Sequence, residues 1–215
     1  MQDAIKYYED VDSWKTVMFL YNAALKEVGT KLEILNDEFQ HVHQYNPIEH
    51  IKTRIKKPES IVKKLKKYGY ETSIENMVKQ VNDIAGVRII CSFTSDIYRL
   101  AAMIGNQSDL KVLSIKDYIK HPKDSGYKSY HMLVSVPIFL SDSVVETKVE
   151  IQIRTIAMDF WASLEHKIYY KFEGRAPEYI SHELKECADM VSALDDRMLV
   201  LNESIQKFLE EEKND

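Results

Sequence analysis

Residues 149–154 alternate strictly between apolar and polar side chains, which is the pattern of a strand with two different faces. The polar face carries an acid, an amide and a base: Glu150, Gln152 and Arg154. Thr155 then offers an N-cap for a helix predicted over 155–172. A polar strand face that leads into a helix is a common way to build a cleft. From this stretch alone, a half-exposed strand with salt-bridging side chains is the favoured interpretation.

Composition narrows the class of protein. The chain has 215 residues, of which 45% are hydrophobic and 29% charged, and this indicates a folded globular protein. The net charge of −5 argues against bulk nucleic-acid binding, although it is compatible with a local basic patch. Cys91 and Cys187 make neither a disulfide framework nor a zinc motif, and Cys91 lies in an apolar run typical of a buried thiol. Without a membrane-spanning stretch or a recognisable signal peptide, a cytoplasmic setting is expected.

The order of predicted elements indicates an α+β fold. A long helix over 12–45 opens the chain, with Gly29 as a candidate kink or break into two helices. Asn46-Pro47 predicts the start of a new helix. The predicted strands cover 85–93, 110–119, 132–137 and 144–154. A final amphipathic helix or helix pair covers 178–209, and the acidic tail 210–215 is expected to fray. The apolar stripes of the terminal helices are candidate oligomer contacts, although packing on the core is the simpler use.

Residues 52–67 form the most lopsided charge run in the chain. Eight cations face Glu59 as their local counter-charge: Lys52, Arg54, Lys56, Lys57, Lys63, Lys64, Lys66 and Lys67. Such runs are usually solvated helix faces. In an acidic protein this concentration favours a phosphate-binding wall, because a polyphosphate needs several converging cations.

Arg88 interrupts the run 85–93, which otherwise predicts a central strand buried on both faces. A buried arginine needs a partner or a ligand anion. One interpretation is an ion pair with Asp83 or another acid. Asp83, at the mouth of the strand, is equally a candidate Mg²⁺ ligand.

The segment 121–126 is a loop by composition, and residues 127–131 lead from it into the next predicted strand. Lys123 and Lys128 lie here, flanked by Tyr127 and His131. Cations for phosphate and an aromatic face for a base suit a nucleotide. An ordinary hairpin loop with tyrosines packed at its base is the alternative, and the residues alone give it the edge.

Six motifs, in order along the chain, resemble the synthetase domain of the RelA/SpoT alarmone enzymes. They are Arg54-Ile55-Lys56-Lys57-Pro58-Glu59-Ser60, Asp83-Ile84-Ala85-Gly86-Val87-Arg88, Lys116-Asp117-Tyr118, the segment from Lys123 to His131, Glu150-Ile151-Gln152-Ile153-Arg154-Thr155, and the segment from Trp161 to His166. The resemblance runs over about 46–171 and looks nearest to the stand-alone small alarmone synthetases of the RelP type. It implies a nucleotidyltransferase-like α+β fold, in which helices flank a mixed sheet of about five strands and both termini are long helices.

The resemblance also implies how the chain is organised. One synthetase domain would cover 1–215, with N-terminal helices over 1–45, a catalytic core over 46–171 and C-terminal helices over 172–215. A homotetramer assembled through the terminal helices is expected. Because the sequence contains no His-Asp dipeptide, synthesis without a hydrolase domain is expected as well.

The implied reaction is the Mg²⁺-dependent transfer of pyrophosphate from ATP to the 3′-hydroxyl of GTP or GDP. The products would be pppGpp or ppGpp, together with AMP, and they would serve the stringent response. Asp83 and Glu150 match the family's catalytic and metal-binding acids, and Glu150 would ligate Mg²⁺, deprotonate the 3′-hydroxyl, or both.

Nucleotide-binding positions follow from the same resemblance. Arg54 and Arg88 would sandwich adenine between their guanidinium planes, and Tyr127 would stack on guanine. The ATP-contacting positions are Arg54, Lys56, Ser60, Lys64, Lys67 and Arg88. The positions around the guanosine nucleotide are Lys116, Lys123, Tyr127, His131, Gln152 and Asp159.

Two residues depart from the family's pattern. Asp159, near the guanine edge, replaces an asparagine of many relatives; a carboxylate suits guanine N1–H and N2–H₂, so the change bears on affinity rather than on base choice. His50 stands where product-activated relatives carry phenylalanine, which argues against the same allosteric site.

Two other classes of protein compete with the enzyme. The first is a catalytically silent regulator that binds a nucleotide or single-stranded RNA, although a pure binder has no need of both Asp83 and Glu150. The second is a helical scaffold, which leaves the basic run and Arg88 unexplained.

Overall fold

The sheet at the centre of the molecule is mixed and, within the described residues, has five strands. A computed structural model of the chain describes residues 14–43, 45–171 and 177–214. The strands are β1 (Ile48–Ile55), β2 (Ala85–Cys91), β3 (Lys111–Asp117), β4 (Tyr130–Phe139) and β5 (Val144–Thr155). Their order is β1-β2-β5-β4-β3, with β2 and β5 parallel and the other neighbours antiparallel. The predicted α+β fold with about five strands is confirmed.

Helices flank this sheet. They are α1 (Trp14–Val42), α2 (Pro58–Lys67), α3 (Ile74–Gln80), α4 (Thr94–Gly105), α5 (Ile156–Lys171) and α6 (Glu178–Asn214). Long helices therefore stand at both ends of the described chain, as the resemblance implied. None of the helices that the structure describes has the length and apolar character needed to cross a membrane.

The alternation in β5 separates a buried sheet face from an open one. Val149, Ile151 and Ile153 are fully buried in one core cluster with side chains of α1 and α4. Burial of apolar surface on this face is the main contribution to stability, at about 1.5–3 kcal/mol for each large apolar side chain. Glu150 and Gln152 lie on the other face, where they remain partly accessible.

The predicted helix start at Asn46-Pro47 is wrong. The Asn46 side chain accepts a hydrogen bond from the Ile48 backbone N–H at 2.9 Å, and strand β1 begins at Ile48. Ile48, Ile51 and Ile55 recur at spacings of three and four, which imitates a helix. Pairing with β2 overrides that local signal.

Two further expectations about helices are corrected. Helix α1 continues through Gly29 without a break. A Cβ at Gly29 would lie 3.9 Å from Thr53 Cγ2, an ordinary van der Waals distance, so α1 packs against β1 at this position. The acidic tail is helical within the described residues, because α6 continues to Asn214.

Cys91 is buried, as predicted, and Cys187 is exposed; both are free thiols. Strand β2 ends at Cys91 rather than at position 93, because Phe93 is already the N-cap of α4.

Candidate active site

Two rows of side chains cross the open face of the sheet. The first row contains one residue from each strand in lateral register: Lys52, Arg88, Gln152, His131 and Lys116. The second row lies beside it and contains Arg54, Gly86, Glu150, Leu133 and Ser114. Register alone therefore gathers residues from distant parts of the chain onto one surface.

Asp83 lies just before β2 and is held by two lysines. Its carboxylate accepts hydrogen bonds from Lys56 Nζ at 2.7 Å and from Lys64 Nζ at 2.8 Å. Burial by itself would raise the pKa of Asp83, but the hydrogen bonds and charges of the two lysines lower the pKa overall. Asp83 is therefore ionised at neutral pH.

Glu150 is the second acid of the site. Its Oε2 accepts a hydrogen bond from Gln152 Nε2 at 2.8 Å, and its Oε1 lies 3.6 Å from His131 Nδ1. Burial would raise the pKa of Glu150, but interactions with His131 and Gln152 lower the pKa overall, while the charge of Asp83 opposes them. The two carboxylates are thus both ionised and close enough to influence each other.

One cavity, of about 270 Å³, opens above β1 and β2, and we term it the arginine cavity. It is lined by Lys52, Thr53, Arg54, Asp83, Gly86, Val87, Arg88, Glu150 and Gln152. Gly86 lies between Arg54 and Glu150 in the sheet register, and a Cβ there would make ordinary van der Waals contact with Arg54 Cγ at 3.8 Å. The structure thus brings the two predicted adenine-sandwiching arginines together with both acids.

A second cavity, of about 400 Å³, opens above β3 and β4, and we term it the lysine cavity. Its charged and aromatic lining includes Lys64, Tyr68, Asp83, Lys116, Tyr118, Lys123, His131 and Glu150. Asp83 and Glu150 line both cavities. Three predicted guanosine-side residues therefore meet in one cavity, and the acid pair stands where the two cavities adjoin.

Tyr127 lies in the loop over 118–129, which we term the tyrosine loop. Its hydroxyl is 2.9 Å from His131 Nε2 and accepts a hydrogen bond from Arg154 Nη2 at 2.6 Å. Lys123 Nζ stands 4.6 Å from the centre of the Tyr127 ring and 4.9 Å from that of Tyr118. The loop is therefore a basic and aromatic wall beside the lysine cavity.

Arg88 has an acid partner, and that acid is Asp159. Arg88 Nη1 donates to Asp159 Oδ1 at 3.0 Å, and Arg154 Nη1 donates to the same oxygen at 3.3 Å. Asp83, the other candidate partner, is held by lysines instead. Burial and the nearby charge of Arg154 lower the pKa of Arg88, and Asp159 partly offsets them. Arg88 Nε is buried without a hydrogen-bond partner among the described residues.

Ser60 and Lys67 differ from the other predicted ATP-contacting residues in their surroundings. Both are exposed on α2 and are not among the described residues that line the two cavities. The remaining predicted positions on α2 and before it, Lys56 and Lys64, point to Asp83.

Lys148 was missed by the sequence analysis. Its Nζ donates to Asn82 Oδ1 at 2.7 Å and to the Lys79 carbonyl at 3.3 Å, and burial lowers its pKa. Lys148 therefore fixes the residue that precedes Asp83. The alternation in β5 could have identified Lys148, because it lies two residues before Glu150 and therefore faces the same side of the sheet.

The acid pair fits a divalent magnesium site by its chemistry. Hard cations take oxygen ligands, and Asp83 and Glu150 offer ionised carboxylates at the junction of the two cavities. Within the described residues, another acidic cluster with His182 lies on exposed α6, away from these cavities.

The helix N-cap predicted at Thr155 is confirmed, and it attaches the site to α6. Thr155 Oγ1 accepts a hydrogen bond from the Met158 backbone N–H at 3.1 Å and donates to Asp195 Oδ2 at 2.7 Å. Lys128 of the tyrosine loop donates to Ser192 Oγ. Both β5 and the tyrosine loop are thus anchored on the C-terminal helix.

A substitution at Gly126 tests whether the tyrosine loop is anchored on α6. Gly126 adopts φ +86°, and a Cβ there would lie 2.5 Å from Ala188 Cβ of α6. Gly126→Ala is expected to lower the free energy of unfolding by about 2–5 kcal/mol, from left-handed backbone strain and overpacking together. Urea denaturation measures the loss.

Gly69 supplies the matched control for that substitution. It also has a positive φ, +76°, but a Cβ added there would meet no heavy atom within 4 Å. Gly69→Ala should therefore lose only the backbone contribution of about 1–2 kcal/mol. Equal losses in the two variants would contradict the docking of the tyrosine loop on α6.

Comparisons with known proteins identify the family of this chain. Residues 53–175 match the family described as "Region found in RelA / SpoT proteins". The chain is 46% identical over 195 residues to the GTP pyrophosphokinase YwaC of Bacillus subtilis, covering 91% of this chain and 93% of that protein.

Solved structures give the same result. The crystal structure of small alarmone synthetase 2 from Bacillus subtilis has a TM-score of 0.81 at 46% identity, covering 89% of this chain and 98% of that chain. Small alarmone synthetase 1 of the same organism, bound to its product pppGpp, has a TM-score of 0.84 at 33% identity, covering 90% and 98%. The family match, the identity and the shared fold establish that this chain belongs to the RelA/SpoT family, among the small alarmone synthetases.

Proposed function

We propose that this chain synthesises pppGpp and ppGpp by transferring pyrophosphate from ATP to the 3′-hydroxyl of GTP or GDP, with release of AMP. The observation that carries the proposal is the junction of the arginine and lysine cavities at Asp83 and Glu150. Two nucleotides bound in adjoining cavities would present the donor phosphates and the acceptor hydroxyl to the same acid pair. Relatives named GTP pyrophosphokinase support this assignment.

ATP is assigned to the arginine cavity. Arg54 and Arg88 lie on the same face of neighbouring strands, and their guanidinium planes are suited to stacking on adenine. Lys56 and Lys64 converge on Asp83 and would place positive charge beside the migrating phosphates. Such fixed charges stabilise the negative charge that develops during phosphoryl chemistry.

The guanosine nucleotide is assigned to the lysine cavity and the tyrosine loop. Lys116 and Lys123 would supply cations for its phosphates, His131 and Gln152 would lie toward its ribose, and Tyr127 would offer a ring for stacking. Lys116, His131 and Gln152 share one row of the open sheet face, and Lys123 and Tyr127 lie in the tyrosine loop, which supports the assignment.

Glu150 is proposed to accept the proton of the 3′-hydroxyl, because it is ionised and lies at the junction of the cavities. Asp83 and Glu150 would together hold Mg²⁺. When bound, the metal would neutralise phosphate charge and stabilise the transferring group. Gln152 and His131 orient the Glu150 carboxylate for either role.

Residues 1–215 are proposed to act as one synthetase domain, in the cytoplasm and as a homotetramer. Helix α6 supports an assembly, because it exposes apolar side chains along its length: Tyr179, Met190, Leu194, Met198, Val200, Leu201, Ile205, Phe208 and Leu209. The competing silent-regulator hypothesis leaves two ionised carboxylates at the cavity junction without a purpose.

Incubation of the purified protein with ATP, GTP and Mg²⁺ tests the proposed function. Anion-exchange chromatography should show AMP and pppGpp appearing in equal amounts, and GDP in place of GTP should give ppGpp. Nucleotide binding without either product would refute synthesis and favour the silent regulator.

A further inference from the structure

Arg154 is a buried arginine at the centre of a polar network behind the two cavities. It is only 4% exposed, although it carries a full positive charge. Its guanidinium donates to four acceptors: Asp159 Oδ1 at 3.3 Å, Tyr127 Oη at 2.6 Å, Gln152 Oε1 at 2.9 Å and Ser129 Oγ at 3.3 Å. The planar fork of arginine makes this number of directed contacts possible, whereas an ammonium group is a compact point charge.

Asp159 joins this network to the arginine cavity. Its Oδ1 accepts from Arg154 and also from Arg88, which lines that cavity. A continuous chain of contacts therefore runs from Arg88 through Asp159 and Arg154 to Tyr127. At one end of this series of contacts, Arg88 faces the proposed adenine site, and at the other end Tyr127 carries the ring proposed for guanine.

A branch of the same network reaches the acid pair. Arg154 donates to Oε1 of the Gln152 side chain, which leaves Nε2 of the same side chain to donate to Glu150 Oε2 at 2.8 Å. Arg154 thereby fixes the orientation of the amide that holds Glu150. Its position affects both nucleotide sites and the acid between them.

We propose that Arg154 is a positioning residue which, through Asp159, couples the occupancy of the two nucleotide sites. The inference rests on the proposed function for the identity of the two nucleotides. A nucleotide stacked on Arg88 holds Asp159, Arg154 and Tyr127 in place, so the second nucleotide meets a site that is already ordered. Each nucleotide then tightens the binding of the other by the same factor, as linkage requires.

Calorimetric titration of the full chain measures this factor directly. The dissociation constant of α,β-methylene ATP with Mg²⁺ is determined without and with saturating GDP, and the reverse titration is done as well. For the wild-type protein we expect a mutual tightening of about 5-fold or more. In Arg154→Lys the charge remains but the fork is lost, so the factor should fall to within about twofold of unity.

Arg99→Lys is the matched control, because Arg99 contacts Phe39 and lies outside the site. It should keep the wild-type factor. Tyr127→Phe is the second variant, since it retains the ring and the fold but removes the hydroxyl that Arg154 binds. It too should lose most of the coupling. If Arg154→Lys fails to fold, the coupling factor of Tyr127→Phe still tests whether the contact with Arg154 links the two sites.

The outcomes separate this inference from the proposed function. A wild-type factor of unity, or an unchanged factor in Tyr127→Phe, would overturn the coupling role even if pppGpp is formed. Coupled binding of both nucleotides with no turnover would overturn the proposed synthesis and leave the coupling intact. Failure of the wild-type protein to bind either nucleotide would overturn both.

Discussion

Glu150→Gln is expected to lower kcat for pppGpp formation by about 10²–10⁴-fold, the range typical of a lost general base. Glutamine keeps the size of the side chain and can still contact Gln152 and His131. It cannot accept the proton of a hydroxyl group, and it brings a neutral oxygen to a metal in place of a carboxylate. Steady-state rates of AMP release measure the effect, with nucleotide affinities followed separately by calorimetry.

Glu146→Gln is the matched control for that substitution. Glu146 lies on the same strand with the same parity, but it pairs with Ser135 and is exposed. Its rate should remain within about twofold of wild type, as expected of a surface change away from the site. A wild-type rate in Glu150→Gln would show that Glu150 takes no part in the reaction.

Asp83→Asn is expected to reduce the rate by at least about 10²-fold and to raise the Mg²⁺ concentration needed for half-maximal activity, since even groups behind a metal ligand contribute 10–100-fold. The substitution removes one proposed ligand and leaves Lys56 and Lys64 without their shared counter-charge. Mg²⁺ titrations of the initial rate measure both effects.

The same substitution has a defined effect on stability. The pKa of Asp83 is lower in the folded protein than its ordinary value, so its stabilising contribution is present above that ordinary value and is lost as the pH falls through the folded pKa. Asp83→Asn should therefore lower Tm at neutral pH. Asp109→Asn breaks another lysine pair, with Lys31, outside the site and should leave the Mg²⁺ dependence unchanged. An unchanged Mg²⁺ dependence in Asp83→Asn would rule out Asp83 as a ligand.

The parity of β5 was sufficient to predict the open sheet face. Glu150 and Gln152 lie there because the apolar residues beside them enter the core, whereas Arg154, of the same parity, is buried in contact with Tyr127. The parallel pairing of β2 with β5, which places Gly86 beside Glu150, is a long-range contact that no local pattern encodes.

Strand β1 shows where local patterns mislead. The Asn46-Pro47 pair predicted the start of a helix, whereas Lys52 and Arg54 lie on an edge strand. The tertiary pairing with β2 decided the conformation, and it also brought Arg54 to the face that carries Arg88.

The partner of Arg88 illustrates a second limit. A buried arginine predicts an acid, but Asp83 is only five positions away and was the natural choice. The acid is Asp159, 71 positions away, which reaches Arg88 because α5 begins where β5 ends. Residue type therefore predicted the kind of contact, while topology determined which residue makes it.

Transfer of pyrophosphate to a guanosine nucleotide is tested most directly with ATP labelled at chosen phosphorus atoms. With ATP labelled at the β position, the label should appear in pppGpp and leave AMP unlabelled; with ATP labelled at the α position, it should remain in AMP. A 3′-deoxy analogue of GTP should accept no label in either case. Label from the β position that appears in ADP or free phosphate, with none in a guanosine product, would contradict the proposed function.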